Sequence, residues 1–397
     1  MTNRVHNFDE VYDRRGSDCK KYNPGRFAED VLPMWIADTD FRVPEPVIEA
    51  ARKRASHEAF GYPYELPAFN TAVKSWMQRR HQWDISEQAV EFVTGVVPAA
   101  IFAIRELTRP GDFIALMTPL YSPLQEAVRD NGRYIAENKL IETDGYFTID
   151  FEDLEKQLAH PRTTMLILCN PHNPVGRVFT KDELLKIGEL CLKHHVWVFS
   201  DEIHADIVFS GHKHIPFASL SAELSDITIT SLNPGKSFNV AGVRTAAVII
   251  ENQQLMERFI VSRKNNKAMG RTVFGQNIFI ACYEHCEYYI DQEIPYIERN
   301  IDYVKQFIDD NIPEINFIKP EATYLLWLDC RSLQLPQNEL ITLFEVDGKL
   351  GLNNGADFGE AGEGHVRMNV AVPRATVEEG CRRLLAAIES YRQKSNS

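Results

Sequence analysis

The stretch Ser231-Leu232-Asn233-Pro234-Gly235-Lys236-Ser237-Phe238-Asn239-Val240-Ala241-Gly242-Val243-Arg244 is an unusual setting for a lysine. A solvated loop is the ordinary fate of that residue. Here glycine and small polar residues frame Lys236, and an apolar stretch follows it. A lysine amine near its unperturbed pKa of ~10.4 is a poor nucleophile, and partial burial beside other cations lowers that value. The stretch joins two apolar or β-branched runs, residues 227–230 and 245–250. Similar runs occur at 90–94, 113–117, 165–169 and 196–200. Runs of this length suit strands covered on both faces.

Helical patterns separate these runs. Residues 98–107 read as a helix after Gly95, and residues 181–194 as another, with Thr180 as its N-cap. Strand–helix alternation predicts an α/β fold with a mostly parallel sheet. The pattern changes after Cys286: an amphipathic helix at 294–310, strands at 324–328 and 366–370, glycine-rich turns across 348–364 and a closing helix at 377–392. The expected organisation is an N-terminal arm (1–43), a large domain (44–286) and a smaller C-terminal α/β domain (287–397) that packs with the arm.

In open α/β sheets ligands bind beyond the carboxyl ends of the strands, and polar residues follow several of the runs. Gly95-Val96-Val97-Pro98-Ala99 opens a helix whose free backbone donors favour an anion, although glycine after a strand is usually only a turn. Asn170-Pro171-His172-Asn173-Pro174-Val175-Gly176 reads as a rigid loop whose Asn amide could hold a phenolate or carboxylate, or as a plain proline-stiffened turn. In Ser200-Asp201-Glu202-Ile203-His204 a carboxylate could pair with a protonated ring nitrogen, or both carboxylates could cap the next segment. The order phosphate turn, Tyr121, Asn173, Asp201, Lys236, Arg244 is more telling than any one signal.

Composition narrows the function. The chain has 397 residues, a net charge of −13, 25% charged and 44% hydrophobic residues. That balance argues against a general nucleic-acid binder. The apolar runs are far shorter than the ~20 residues that span a bilayer, and MTNRVHNFDEVYDRR carries no signal-like apolar region, so a cytoplasmic protein is expected. Seven scattered cysteines form no disulfide framework. Cys282, His285 and Cys286 lack a second Cys/His pair at zinc spacing, so buried thiols and no metal are expected.

The chain resembles the fold-type I pyridoxal-5′-phosphate (PLP) enzymes of the aspartate-aminotransferase superfamily (class I/II) over nearly its whole length. Within it, it is most similar to the cystathionine β-lyase or cysteine-S-conjugate β-lyase (C–S lyase) group. The residues that carry this are Asp13-Arg14-Arg15-Gly16, Met34-Trp35-Ile36-Ala37-Asp38-Thr39-Asp40-Phe41, Phe60-Gly61-Tyr62, Ser200 to His204, Lys236-Ser237-Phe238-Asn239, Arg367-Met368-Asn369 and Val372-Pro373-Arg374.

The resemblance implies a role for each position. Lys236 would hold PLP as a Schiff base and then move the substrate's Cα proton. Asp201 would keep the pyridine nitrogen protonated, making the ring an electron sink. Asn173 would bond the ring oxygen beside His204, and Tyr121 would stack on the ring. Val96 and Val97 would offer backbone donors to the phosphate, with Ser231 and Arg244 nearby. Tyr62 would reach the phosphate from the other subunit, which implies a homodimer with shared sites. Arg367 would grip the substrate α-carboxylate, with Asn173 and Asp38 also at the substrate.

The implied reaction is β-elimination from L-cystathionine or an S-substituted L-cysteine to a thiol, pyruvate and ammonia. An aminotransferase, or a non-catalytic binding or regulatory protein on the same fold, are the alternatives. Arg244 leans toward a transaminase. Ser122, where lyases often carry an aromatic, leaves the side-chain pocket open. Arg271 is expected to be a surface arginine.

Overall fold

The computed structural model describes residues 4–395; residues 1–3 and 396–397, the extreme ends of the expected arm and C-terminal domain, lie outside the described residues. A seven-stranded sheet runs in the order Val90–Val93, Ala246–Ile249, Thr228–Leu232, Trp197–Asp201, Thr163–Cys169, Phe113–Thr118 and Tyr134–Lys139. Ala246–Ile249 is antiparallel to both its neighbours, and the remaining pairs are parallel. The α/β expectation holds.

Apolar layers cover both faces of this sheet, which is why its inner strands read as unbroken apolar runs rather than alternating ones. One layer includes Ala99, Ala103, Leu124 and Phe259. The other includes Leu154, Leu184, Ile187 and Phe217. The helix Lys181–Lys193 starts at a full capping box: Thr180 accepts from the Glu183 backbone, and Glu183 bonds back to Thr180.

A second sheet of three antiparallel strands orders Leu325–Asp329, His365–Asn369 and Asn353–Asn354. Its core is continuous with the long helix Glu287–Asn311 and the closing helix Arg374–Ser395. The long helix begins at Glu287, well before the expected 294, and carries Pro295 inside it. Near its N-terminus, the chain packs on this helix: the Phe8 ring lies 4.9 Å from Phe41 and 5.4 Å from Tyr296. Leu32–Pro33 then pairs in parallel with Leu350–Gly351. Among the described residues no helix is long and apolar enough to cross a membrane.

Six of the seven cysteines are buried and Cys19 is partly covered. Burial pushes the Cys282 thiol well above its ordinary pKa, as expected of an inert core thiol.

Candidate active site

The sheet register brings the polar residues to one edge. Cys169 pairs with Asp201 and Asp201 with Ser231, so three neighbouring strands end at one level. Asn170 N donates to Asp201 O at 3.0 Å, and Glu202 N to Ser231 O at 3.0 Å. Because Ala246–Ile249 runs the other way, its start, after Arg244, falls at the same edge, as does the turn Gly95–Val96 after Val90–Val93.

Lys236 sits on a pinned loop. Gly235 N donates to Asn233 Oδ1 at 2.6 Å. A Cβ at Gly235 would lie 2.7 Å from Asn233 Oδ1 and 3.0 Å from Ala241 Cα, so a larger residue would have to push this loop apart. Phe238 is buried against Trp76 and Tyr283, and Ser237 Oγ donates to Asp206 Oδ2 at 3.1 Å. Lys236 Nζ donates to the carbonyl oxygen of Ala37 at 2.5 Å, which also accepts from Tyr324 Oη at 3.2 Å. Burial pushes the amine down to about 8, with Arg367 adding to the fall, while Asp38 and Asp201 pull it back.

The acidic pair divides. Glu202 is fully used in the core, accepting from Ser200 Oγ at 2.8 Å, Phe217 N at 3.0 Å and His214 Nε2 at 2.9 Å. Buried Asp201 accepts one bond, from Ile203 N at 3.1 Å, and desolvation raises its carboxyl to about 7 against the pull of that bond and of Lys236. His204 is buried with Nδ1 lacking a partner, and burial holds it neutral, as do the charges of Lys236 and Arg367.

Arg367 lies on the central strand of the second sheet. Nη1 donates to Asn173 Oδ1 at 2.9 Å, and Nη2 to Asn353 Oδ1 at 2.6 Å and Trp35 O at 3.2 Å. Its Nε is buried without a partner, and desolvation draws the guanidinium down to about 10. Tyr121 precedes the helix Ser122–Asp130; its backbone N donates to Asn173 O at 3.3 Å, and burial raises its phenol above the ordinary value. Asp38 pairs with Arg14 through Oδ2 at 2.9 Å and keeps Oδ1 buried and unpartnered.

At the proposed anion seat, Val96 and Val97 open a helix, and Ser231 Oγ is buried without a partner. Arg244 is exposed, in left-handed backbone at φ 55°.

These groups fit pyridoxal phosphate: an anion seat of backbone donors, a buried carboxylate, a fixed amide and a lysine amine of lowered pKa at one sheet edge. The unpartnered Ser231 Oγ and His204 Nδ1 are what a site awaiting a polar ligand leaves behind.

Residues 29–384 match the family aminotransferase class I and II. The chain belongs to this family. It is 41% identical over 385 residues to cystathionine beta-lyase PatB of Bacillus subtilis (strain 168), covering 96% of this chain and all (100%) of that protein. It superposes on cystalysin of Treponema denticola, which contains a pyridoxal 5′-phosphate cofactor, with a TM-score of 0.94 at 36% identity, covering 98% and 100% of the two chains. The PLP-bound C–S lyase of Staphylococcus hominis gives 0.90 at 30%, covering 97% and 98%.

Within this class I and II chain, two expected residues stand apart. Tyr62 is fully exposed, beside exposed Phe60 and Tyr64. Arg271 is not a surface arginine: its side chain is 12% exposed, paired with Glu65 and Glu91 and lying 5.2 Å over the Phe92 ring. Covering by Phe92 and two carboxylates explains the difference.

Sequence reasoning missed Tyr324, Asn353 and the part Asn369 plays. Asn369 Nδ2 donates to Ile36 O at 2.7 Å and Asp38 O at 2.6 Å, anchoring the segment that carries Ala37. An Asn ending an otherwise buried strand was the available signal, since a buried amide must find partners.

Proposed function

We infer that this protein is a PLP-dependent C–S β-lyase. It hydrolyses L-cystathionine or S-substituted L-cysteines, taking up water and releasing a thiol, pyruvate and ammonia. The observation that carries the reading is the meeting of Lys236, Asp201 and Asn173 at one edge of the large sheet with Arg367 of the second sheet, in a chain so similar to cystathionine beta-lyase PatB.

When bound, pyridoxal phosphate supplies an electron sink for the negative charge left at the substrate Cα. The chain's own groups do the rest. Lys236 would carry the cofactor and, once released, take the Cα proton with its amine; a pKa lowered to about 8 leaves far more of that amine neutral than an ordinary lysine has. Asp201 would pair its carboxylate with the cationic ring nitrogen. Asn173 would bond the ring oxygen beside His204, and Tyr121 would cover the ring face. Val96 and Val97 N–H, Ser231 and Arg244 would hold the phosphate. Arg367 takes the α-carboxylate with its planar fork, helped by Asn173, and Asp38 lines the substrate side.

The organisation that goes with this reading is an arm (1–43), a large domain (44–286) and a small domain (287–397). The protein works in the cytoplasm as a homodimer, with Tyr62 completing the partner's phosphate site; fully exposed Tyr62 and its aromatic neighbours support this. Pyruvate release without an added keto acid tests the reading, because transamination requires a keto-acid acceptor.

A further inference from the structure

Two charges of opposite sign next to Arg367 have no part in the chemistry above. Arg26 stacks its guanidinium 4.5 Å from the Phe27 ring and 5.5 Å from Trp35, whose carbonyl accepts from Arg367. Asp357 immediately precedes Phe358, and the Arg367 guanidinium lies 4.8 Å over that ring. Phe358 O in turn accepts from Leu120 N at 2.9 Å and Gln125 Nε2 at 3.1 Å, fixing the Asp357 loop on the segment that bears Tyr121.

Both residues are exposed, and Asp357 lies in the field of both Arg26 and Arg367. Neither side chain has a hydrogen bond or ion pair among the described residues. Opposite charges close enough to feel each other yet unpaired are free to pair with a group that carries both signs.

A thioether held at buried Arg367 by its α-carboxylate has a far end to place, and exposed Asp357 lies in the field of both Arg367 and exposed Arg26. In L-cystathionine that end is a second amino acid, with an ammonium and a carboxylate. In a simple S-alkyl cysteine it is apolar. We propose that Arg26 and Asp357 form a subsite for the distal amino-acid end of the thioether, Arg26 taking its carboxylate and Asp357 its ammonium. The subsite rests on the C–S lyase reading of the same site and gives it a substrate class: thioethers whose leaving thiol is itself an amino acid.

The test compares wild type, Arg26→Gln and Asp357→Asn, all PLP-loaded, on four substrates: L-cystathionine, S-aminoethyl-, S-carboxyethyl- and S-propyl-L-cysteine. Asp357→Asn lowers kcat/KM for the two ammonium-bearing substrates about tenfold relative to S-propyl-L-cysteine, mostly through KM. Arg26→Gln does the same for the two carboxylate-bearing ones. Calorimetric titration with the cystathionine analogue whose sulfur is replaced by methylene, which cannot eliminate, weakens in both variants. Unchanged ratios, or equal losses on all four substrates, overturn the subsite. If wild type releases no pyruvate even from S-propyl-L-cysteine, the lyase reading fails instead, and the calorimetric titration still decides the subsite.

Discussion

Arg367 Nη1 donates to Asn173 Oδ1 at 2.9 Å, tying the central strand of the smaller sheet to the loop after Thr163–Cys169 in the larger one. In the proposed reading Arg367 therefore serves both the substrate carboxylate and the amide that faces the cofactor. Arg367→Lys keeps the charge and loses the planar fork. It is expected to lower kcat/KM for L-cystathionine by about 100-fold, on the order of 3 kcal/mol, mainly through KM. Steady-state kinetics read this, and a loss under threefold contradicts the carboxylate role.

The lowered pKa of Lys236 sets a pH signature. The neutral amine is the nucleophile that captures the cofactor, and its fraction rises with pH until the amine is fully deprotonated. Covalent capture of PLP by apo-protein should rise through a midpoint at about 8 and then level off. Stopped-flow absorbance measures it, and a rate still climbing near the unperturbed ~10.4 contradicts it. Lys236→Ala should lose both the visible absorbance of the bound cofactor and β-elimination. Wild-type turnover in that variant removes Lys236 from its role.

Asp201 makes the apo-protein sensitive to pH. Its folded pKa, about 7, lies above its ordinary value of 3.8, so the folded chain binds more protons between them. Its stabilising contribution is full below about 4 and is lost as pH rises through about 7, a difference on the order of 4 kcal/mol. Asp201→Asn apo-protein should therefore gain stability over wild type at about pH 8 and little at about pH 4, read by denaturant unfolding. An equal gain at both contradicts the buried anion. In the loaded enzyme Asp201→Ala should cost rate far more than cofactor affinity; weakened binding with undiminished turnover of the bound fraction contradicts the electron-sink role.

Much of this was legible in sequence where burial is uniform. The runs ending at Cys169, Asp201 and Leu232 are covered on both faces, so apolar composition alone locates them to within a residue or two. The edge strand Tyr134–Lys139 was not read, because an edge strand half in solvent carries Glu137, Asn138 and Lys139. The reversed Ala246–Ile249 was read as a strand, but direction leaves no mark on composition. Ile294-Pro295 imitates a helix start, since proline is tolerated in a first turn; tertiary packing of Tyr289 and Ile290 carries the helix back to Glu287. Lys236, Asp201 and Asn173 are readable because each lies at or shortly after the end of a strand, whereas Tyr324 and Asn353 are tied to the site by contacts between distant segments.

Tyr62 offers a test of shared sites. Lys236→Ala and Tyr62→Ala homodimers should both be impaired. Unfolded together and refolded, they should regain roughly a quarter of wild-type activity, since half the dimers then hold one intact site. No regain above the two parents contradicts a site completed by the partner.

The central claim is β-elimination, and pyruvate released from L-cystathionine by purified, PLP-loaded protein without any keto acid tests it most directly. The account predicts steady release of pyruvate, matched mole for mole by ammonia and free thiol. No release from L-cystathionine or from a simple S-alkyl cysteine, with turnover appearing only when a keto acid is added, contradicts it and makes the protein an aminotransferase.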